Sequence, residues 1–167
     1  MNFQEISAEQ IARNPFELIG KNWMLITAEK DGQANTMTAS WGGVGILWGK
    51  PVAYVFIRPQ RYTREFVDAA DSFSLSFLPE KFRKELSYLG STSGRDEDKI
   101  KKAGLTAVHE ADVPYFDEAD LVLICKKLYR QEQTEDCYLD RSCIDRWSPN
   151  KDFHIMYIAE ITKVFKK

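Results

Sequence analysis

The sequence predicts a mainly β fold, a closed or half-closed antiparallel barrel with helices at its periphery, and three observations carry that expectation. Val52-Ala53-Tyr54-Val55-Phe56-Ile57 is a continuous apolar, β-rich run, the pattern of a strand buried on both faces. Ser72 to Leu78 alternates strictly, with Phe73, Leu75 and Phe77 on one side and three serines on the other, which predicts a strand buried on one side only. Helical stretches come singly between strands, without the regular alternation of a doubly wound sheet. At 167 residues the chain fits a single domain spanning 1–167, and a domain of this size buries roughly 70% of its unfolded surface.

Each element has a local reason. Ser7 with Gln10 forms a capping box and Ile6 can staple against Ile11, so a short helix is expected from Ala8 until Asn14-Pro15 stops it. Asn22 to Glu29 reads as a strand, and Asp31-Gly32 turns it into a second strand over Gln33 to Ser40. Tyr62, Phe66 and Ala69 fall at helical spacing, as do Phe82, Leu86 and Leu89. Ser93 to Gly104 carries helix punctuation: Ser93 with Asp96 as a box, acids first, lysines last, and Gly104 at the end. Leu121 to Tyr129, Glu135 to Ile144 and Phe153 to Phe165 read as later strands, with Pro149 to Asp152 as the turn before the last.

Composition excludes several function classes. Hydrophobic residues at 44% and charged residues at 29% argue against disorder. A formal charge of -2 gives no general attraction for nucleic acid or anionic lipid, so an anionic ligand needs local basic groups. No apolar stretch has the length of a transmembrane helix, and MNFQEISAEQIARN lacks the basic-then-apolar order of a signal peptide, so a cytoplasmic location is expected. Cys125, Cys137 and Cys143 lack CxxC spacing; Cys137 and Cys143 could pair, but ordinary reduced thiols are the favoured reading. With His109 and His154 far apart in the chain, no metal site is expected.

Three segments could carry chemistry. Ala34 to Gly43 holds Asn35, Thr38, Ala39, Ser40 and Trp41: small and hydroxyl side chains let a planar ligand approach the backbone, and Trp41 adds an aromatic face. A plain strand ending in glycine-rich turns would look the same. Arg58-Pro59-Gln60-Arg61-Tyr62-Thr63 follows a buried strand and opens a helix, where free amides, the helix dipole, two guanidinium groups and a hydroxyl suit a phosphate. Glu65 in the first turn opposes an anion there, and a solvated pair of arginines is the plainer alternative. Ser91 to Lys99 is sufficiently explained as a capped helix start, although it could bring Ser93, Arg95 or Lys99 over a ligand. No Ser-His-Asp or Cys-His arrangement has local support, no catalytic residue is assigned, and His154 reads first as a structural histidine.

The strings Asn35-Thr36-Met37-Thr38-Ala39-Ser40-Trp41-Gly42, Arg58 to Thr63 and Ser93-Gly94-Arg95-Asp96-Glu97-Asp98-Lys99, in this order and spacing, resemble the flavin reductase-like, FMN-binding split-barrel proteins, especially their flavoredoxin-like branch. The resemblance extends to the closing Asn150 to His154 and its strand. It implies a six-stranded antiparallel Greek-key split barrel, a homodimer, and one FMN per subunit near the interface. It implies that Asn35, Thr38, Ala39, Ser40 and Trp41 line the isoalloxazine, and that Arg58, Arg61, Tyr62 and Thr63 hold the ribityl phosphate. Ser93, Gly94 and Lys99 would close over the flavin, with His154 a further candidate. The implied activity is that of an FMN-dependent oxidoreductase, taking electrons from NAD(P)H or a protein donor and giving them to a small-molecule or protein acceptor. The flavin accepts hydride itself, which accounts for the lack of a visible acid–base dyad. A non-catalytic split-barrel binding protein for haem or another small ligand is the alternative from a different class, and pyridoxamine-phosphate-oxidase-like chemistry a third possibility.

Overall fold

Side chains alternate along the strands, and here the alternation builds two cores from one sheet. The computed structural model describes residues 3–167. In chain order the elements are β1 (Gln4–Ile6), α1 (Pro15–Gly20), β2 (Met24–Lys30), β3 (Gln33–Ala39), β4 (Gly42–Leu47), β5 (Lys50–Ile57), α2 (Tyr62–Ala69), β6 (Ser72–Phe77), α3 (Arg83–Ser91), α4 (Lys99–Lys102), β7 (Ala107–Glu110), β8 (Val113–Phe116), β9 (Leu121–Glu132), α5 (Ser142–Trp147) and β10 (Ile155–Lys166). The main sheet runs β3-β2-β6-β9-β10-β5-β4, with β1 also pairing β10, and every pairing is antiparallel.

Ile26, Val55, Phe73, Leu75, Phe77, Leu121, Leu123 and Tyr157 belong to the inner core. Their neighbours in sequence, Leu25, Val122 and Ile124, belong to a second core with Leu86, Leu89, Val113 and Phe116, where α3 and the β7–β8 hairpin cover the outside of the sheet. Each large side chain so removed from water contributes roughly 1.5–3 kcal/mol.

The sheet does not close. Its end strands, β3 and β4, share no ladder, yet only Ser40 and Trp41 separate them in sequence. The chain therefore crosses from one edge of the sheet to the other in two residues, and the barrel is split at that step. Gly42 makes the step possible: its φ is 146°, and a Cβ there would lie 2.4 Å from the carbonyl oxygen of Tyr54.

The expected barrel, its helices and its Asp31-Gly32 turn are present, with eight strands in the main sheet where six were expected. Several expectations need correction. The serine face of β6 is covered as well: Ser74 and Ser76 are buried, and Ser74 Oγ donates to Pro114 O at 2.6 Å. The Ser7 box caps only a 3₁₀ turn over Ala8–Gln10, and Asn14-Pro15 starts a helix rather than ending one, Asn14 accepting the Phe16 amide at 2.9 Å. The Ser93–Gly104 helix shrinks to α4, capped by Asp98 and not by Ser93. Glu135 to Ile144 is a 3₁₀ turn and the start of α5 rather than a strand, because it leaves the sheet altogether between β9 and β10.

Candidate functional site

The split gathers the three segments. β3 lies between two helices: Asn35 Nδ2 donates to Thr63 Oγ1 on α2 at 2.8 Å, while Thr38 Oγ1 donates to Leu86 O on α3 at 2.5 Å. Gly94 then fits against Asn35 only because it lacks a side chain, since a Cβ would sit 2.2 Å from Asn35 Oδ1 and 3.3 Å from the Tyr62 ring. Segments about thirty residues apart in sequence are thereby fixed to one another through buried polar contacts. At its far end α2 is anchored by Asp68, which accepts from Tyr157 Oη at 2.7 Å and Arg130 Nε at 3.0 Å. That anchoring holds the Arg61–Thr63 end in place.

Cations concentrate where α2 begins and α3 ends. Arg61 stands at the N-cap of α2 with no side chain capping the helix, so the first-turn amides keep their positive end toward the cleft. Its Nη1 donates to Gly90 O at 2.6 Å. Lys99 is 3% exposed, and its Nζ donates to Leu89 O at 2.9 Å and Thr92 O at 2.8 Å. Both cations thus grip the carbonyl end of α3, the favourable end for positive charge. Neither has a carboxylate partner among the described residues. Burial, then Arg58, lowers the Arg61 pKa; burial, then Arg61, pushes Lys99 down to about 8. Arg58 is held differently, donating to Asp152 Oδ2 and to Trp147 O, each at 2.8 Å. Glu65, the carboxylate that opposes an anion, is taken up by Arg95, whose guanidinium also covers the Tyr62 ring at 4.5 Å.

Beside these cations lies a cavity of about 190 Å³ lined by residues 37–41 of the split together with Phe56, Arg58, Arg61, Trp147 and His154. Trp41 meets Trp147 edge-on at 5.0 Å between ring centroids and lies 5.1 Å from His154. His154 is buried; burial first, then Arg58, brings its pKa down to about 4, so it is neutral at ordinary pH. A second cavity, about 420 Å³, lies along the earlier part of β3, at residues 33–35, and is bordered by Asn35, Tyr62, Gly94 and Lys99.

Of the residues singled out from sequence, Thr38, Ala39, Ser40, Trp41, Arg58, Arg61 and His154 meet in the first cavity, and Asn35, Tyr62, Gly94 and Lys99 in the second. Thr63 and Ser93 line neither. Thr63 is 1% exposed with its hydroxyl taken by Asn35, and Ser93 Oγ accepts the Arg95 amide at 3.2 Å. Sequence reading missed Trp147 and assigned Phe56 to the core. Ile144 and Trp147 at helical spacing before Ser148-Pro149 were the available signal for α5.

Solved structures share this architecture. An FMN-binding domain of a flavin reductases-like enzyme from Shewanella baltica OS155 superposes with a TM-score of 0.72 at 18% identity, covering 99% of this chain and 77% of that one. The flavoredoxin of Desulfovibrio vulgaris (Miyazaki F) gives 0.70 at 23% identity, over 97% and 77%. An uncharacterized protein of Aeropyrum pernix is 33% identical over 86 residues, 51% of this chain and 32% of that protein, so the match spans about a third of the relative's length. The family model described as "Flavin reductase like domain" matches residues 16–166, and the chain therefore belongs to the flavin reductase-like family.

Proposed function

We propose that this protein is an FMN-dependent oxidoreductase whose flavin site is the split between β3 and β4. One observation carries the reading: Arg61 and Lys99, two neighbouring desolvated cations, have carbonyl acceptors but no carboxylate among the described residues. A fold does not hold such a pair at low cost unless an anion completes it, and a phosphate ester at an uncapped helix start fits that donor set.

In this reading Arg61 and Lys99 hold the phosphate, with Arg58 and the first-turn amides of α2 beside them. Asn35 and Thr63 act through each other, fixing the strand against the helix. Thr38 to Trp41 offer small side chains and backbone to a planar ring, while Trp41, Trp147 and Phe56 keep water from it. Ser93 and Gly94 bring the third segment over the site, and Tyr62 is kept in position by Arg95. Neutral His154 can donate or accept a hydrogen bond without adding charge. When bound, FMN supplies the hydride- and electron-accepting centre. The donor is NAD(P)H or a redox protein. A cavity of about 190 Å³ is small beside the roughly 300–1,000 Å³ of usual ligand pockets, which supports a homodimer in which a second copy completes the walls.

The test is the absorbance spectrum of the purified protein and the identity of any released chromophore. Yellow protein releasing FMN, or colourless protein that takes up FMN stoichiometrically, is the expected result. A Soret band, or no uptake of FMN, overturns the reading. Rapid mixing with NADH and NADPH separately then reports the donor, and light scattering reports the dimer.

A further inference from the structure

The excursion between β9 and β10 also walls a further cavity, whose lining shares no residue with the two described above. A cavity of about 440 Å³ is lined there by Cys137, Cys143, Tyr138, Leu139, Met156 and neighbouring polar residues. Its size lies within the usual range for small ligands. Both cysteines are free and exposed, in contrast to buried Cys125. The loop bearing them folds back on itself: Arg141 Nη2 donates to Glu135 Oε1 at 2.7 Å, bringing the 3₁₀ turn of Cys137 beside the first turn of α5, which holds Cys143. Lys151 adds a second clamp on Glu135 at 2.8 Å. Tyr138 feels the same proximity, its hydroxyl pKa being raised by burial and then by the charge of Cys143. Thr134 Oγ1 donates to Cys137 Sγ at 3.3 Å.

We propose that Cys137 and Cys143 form a redox-active dithiol that exchanges with low-molecular-weight disulfides entering this cavity. It does not depend on the flavin reading. Cys137, whose sulfur has a hydrogen-bond donor beside it, attacks one sulfur of the disulfide; the sulfur–sulfur bond breaks and one thiolate leaves, taking a proton from solvent. Cys143 then attacks the Cys137 sulfur of the mixed disulfide and expels the second thiolate. The two cysteines lose two electrons and their two protons, and the small disulfide becomes two thiols. Tyr138, Leu139 and Met156 give the apolar stems of such a ligand a surface, and the amides of Gln131 and Gln133 meet its polar ends.

The experiment uses the full chain, reduced, freed of reductant and mixed anaerobically with glutathione disulfide. Two glutathione thiols should be released per chain, the intact mass should fall by two hydrogens, and peptide mapping should find a Cys137–Cys143 bond with Cys125 still reduced. Cys143→Ser should stop at the mixed disulfide on Cys137, and Cys137→Ser should react on the order of tenfold more slowly than Cys143→Ser. Independent modification of both cysteines without a bond between them overturns the proposal, as does a bond formed between chains instead of within one. Unreacted thiols in the wild-type chain at a glutathione disulfide excess do so equally.

Discussion

Replacing Gly94 with Ala tests whether the three site segments are coupled through one close contact. The added methyl would be placed 2.2 Å from Asn35 Oδ1 and 3.1 Å from Asn35 Cγ. The Asn35 amide cannot swing clear at low cost, because it is buried and its Nδ2 donates to Thr63 Oγ1, itself 1% exposed. Relief therefore breaks that hydrogen bond and leaves buried polar groups short of a partner, a cost of about 1–3 kcal/mol. For a chain of this size that lowers the melting temperature by roughly 3–10 °C. Thermal unfolding followed by circular dichroism measures it, and FMN titration should show weaker binding alongside. In an Asn35→Ala background most of the clash is gone, so adding Gly94→Ala should cost less than about 0.5 kcal/mol beyond the single change. An equal loss in both backgrounds, or none in either, would refute the coupling.

Other outcomes follow from the charges and rings. Arg61→Ala should weaken FMN binding by about 1–3 kcal/mol through loss of a charge-assisted phosphate contact; unchanged affinity would move the phosphate elsewhere. Lys99 is held at about 8, below its unfolded value, so the unfolded chain binds more protons between pH 8 and 10.5. The flavin-free protein should gain stability across that window, by up to about 1.4 kcal/mol per pH unit, and Lys99→Met should remove the slope in denaturant melts. His154, at about 4, should be silent in imidazole NMR titrations from pH 5.5 to 8; stability attributable to it falls as pH drops from 6.5 toward 4. Trp147→Ala should change the fluorescence or potential of bound flavin with little effect on the fold, since Trp147 is partly exposed and borders the cavity.

Much of this architecture was legible because strand patterning is local. The run Val52 to Ile57 and the alternation of Ser72 to Leu78 both report the pleat directly. The serine face of β6 could not be read correctly, since its cover is β8, some forty residues away. Gly42 to Leu47 was hidden for another reason: three glycines and an exposed face leave an edge strand without the apolar signature that marks a buried one. At the site, Arg58 to Thr63 announced itself as charge before a helix. Asn35 stood out only through family resemblance, and its partnership with Thr63 and Gly94 depends on three segments meeting in space. Trp147 was lost with the helix that carries it.

The two-residue step from β3 to β4 sets the order in which this molecule should loosen. Because no ladder joins those edges, spreading the split breaks no hydrogen bond between β3 and β4, while β9, paired along most of its length to β10 and also to β6, keeps its bonds. Amide protons of β4 and of the outer side of β3 should therefore exchange with deuterium well before those of β9. A ligand seated across the step would slow them together. The mouth of the cleft is then also the least cooperative part of the fold, and a bulky ring can enter there without unfolding the sheet that holds it.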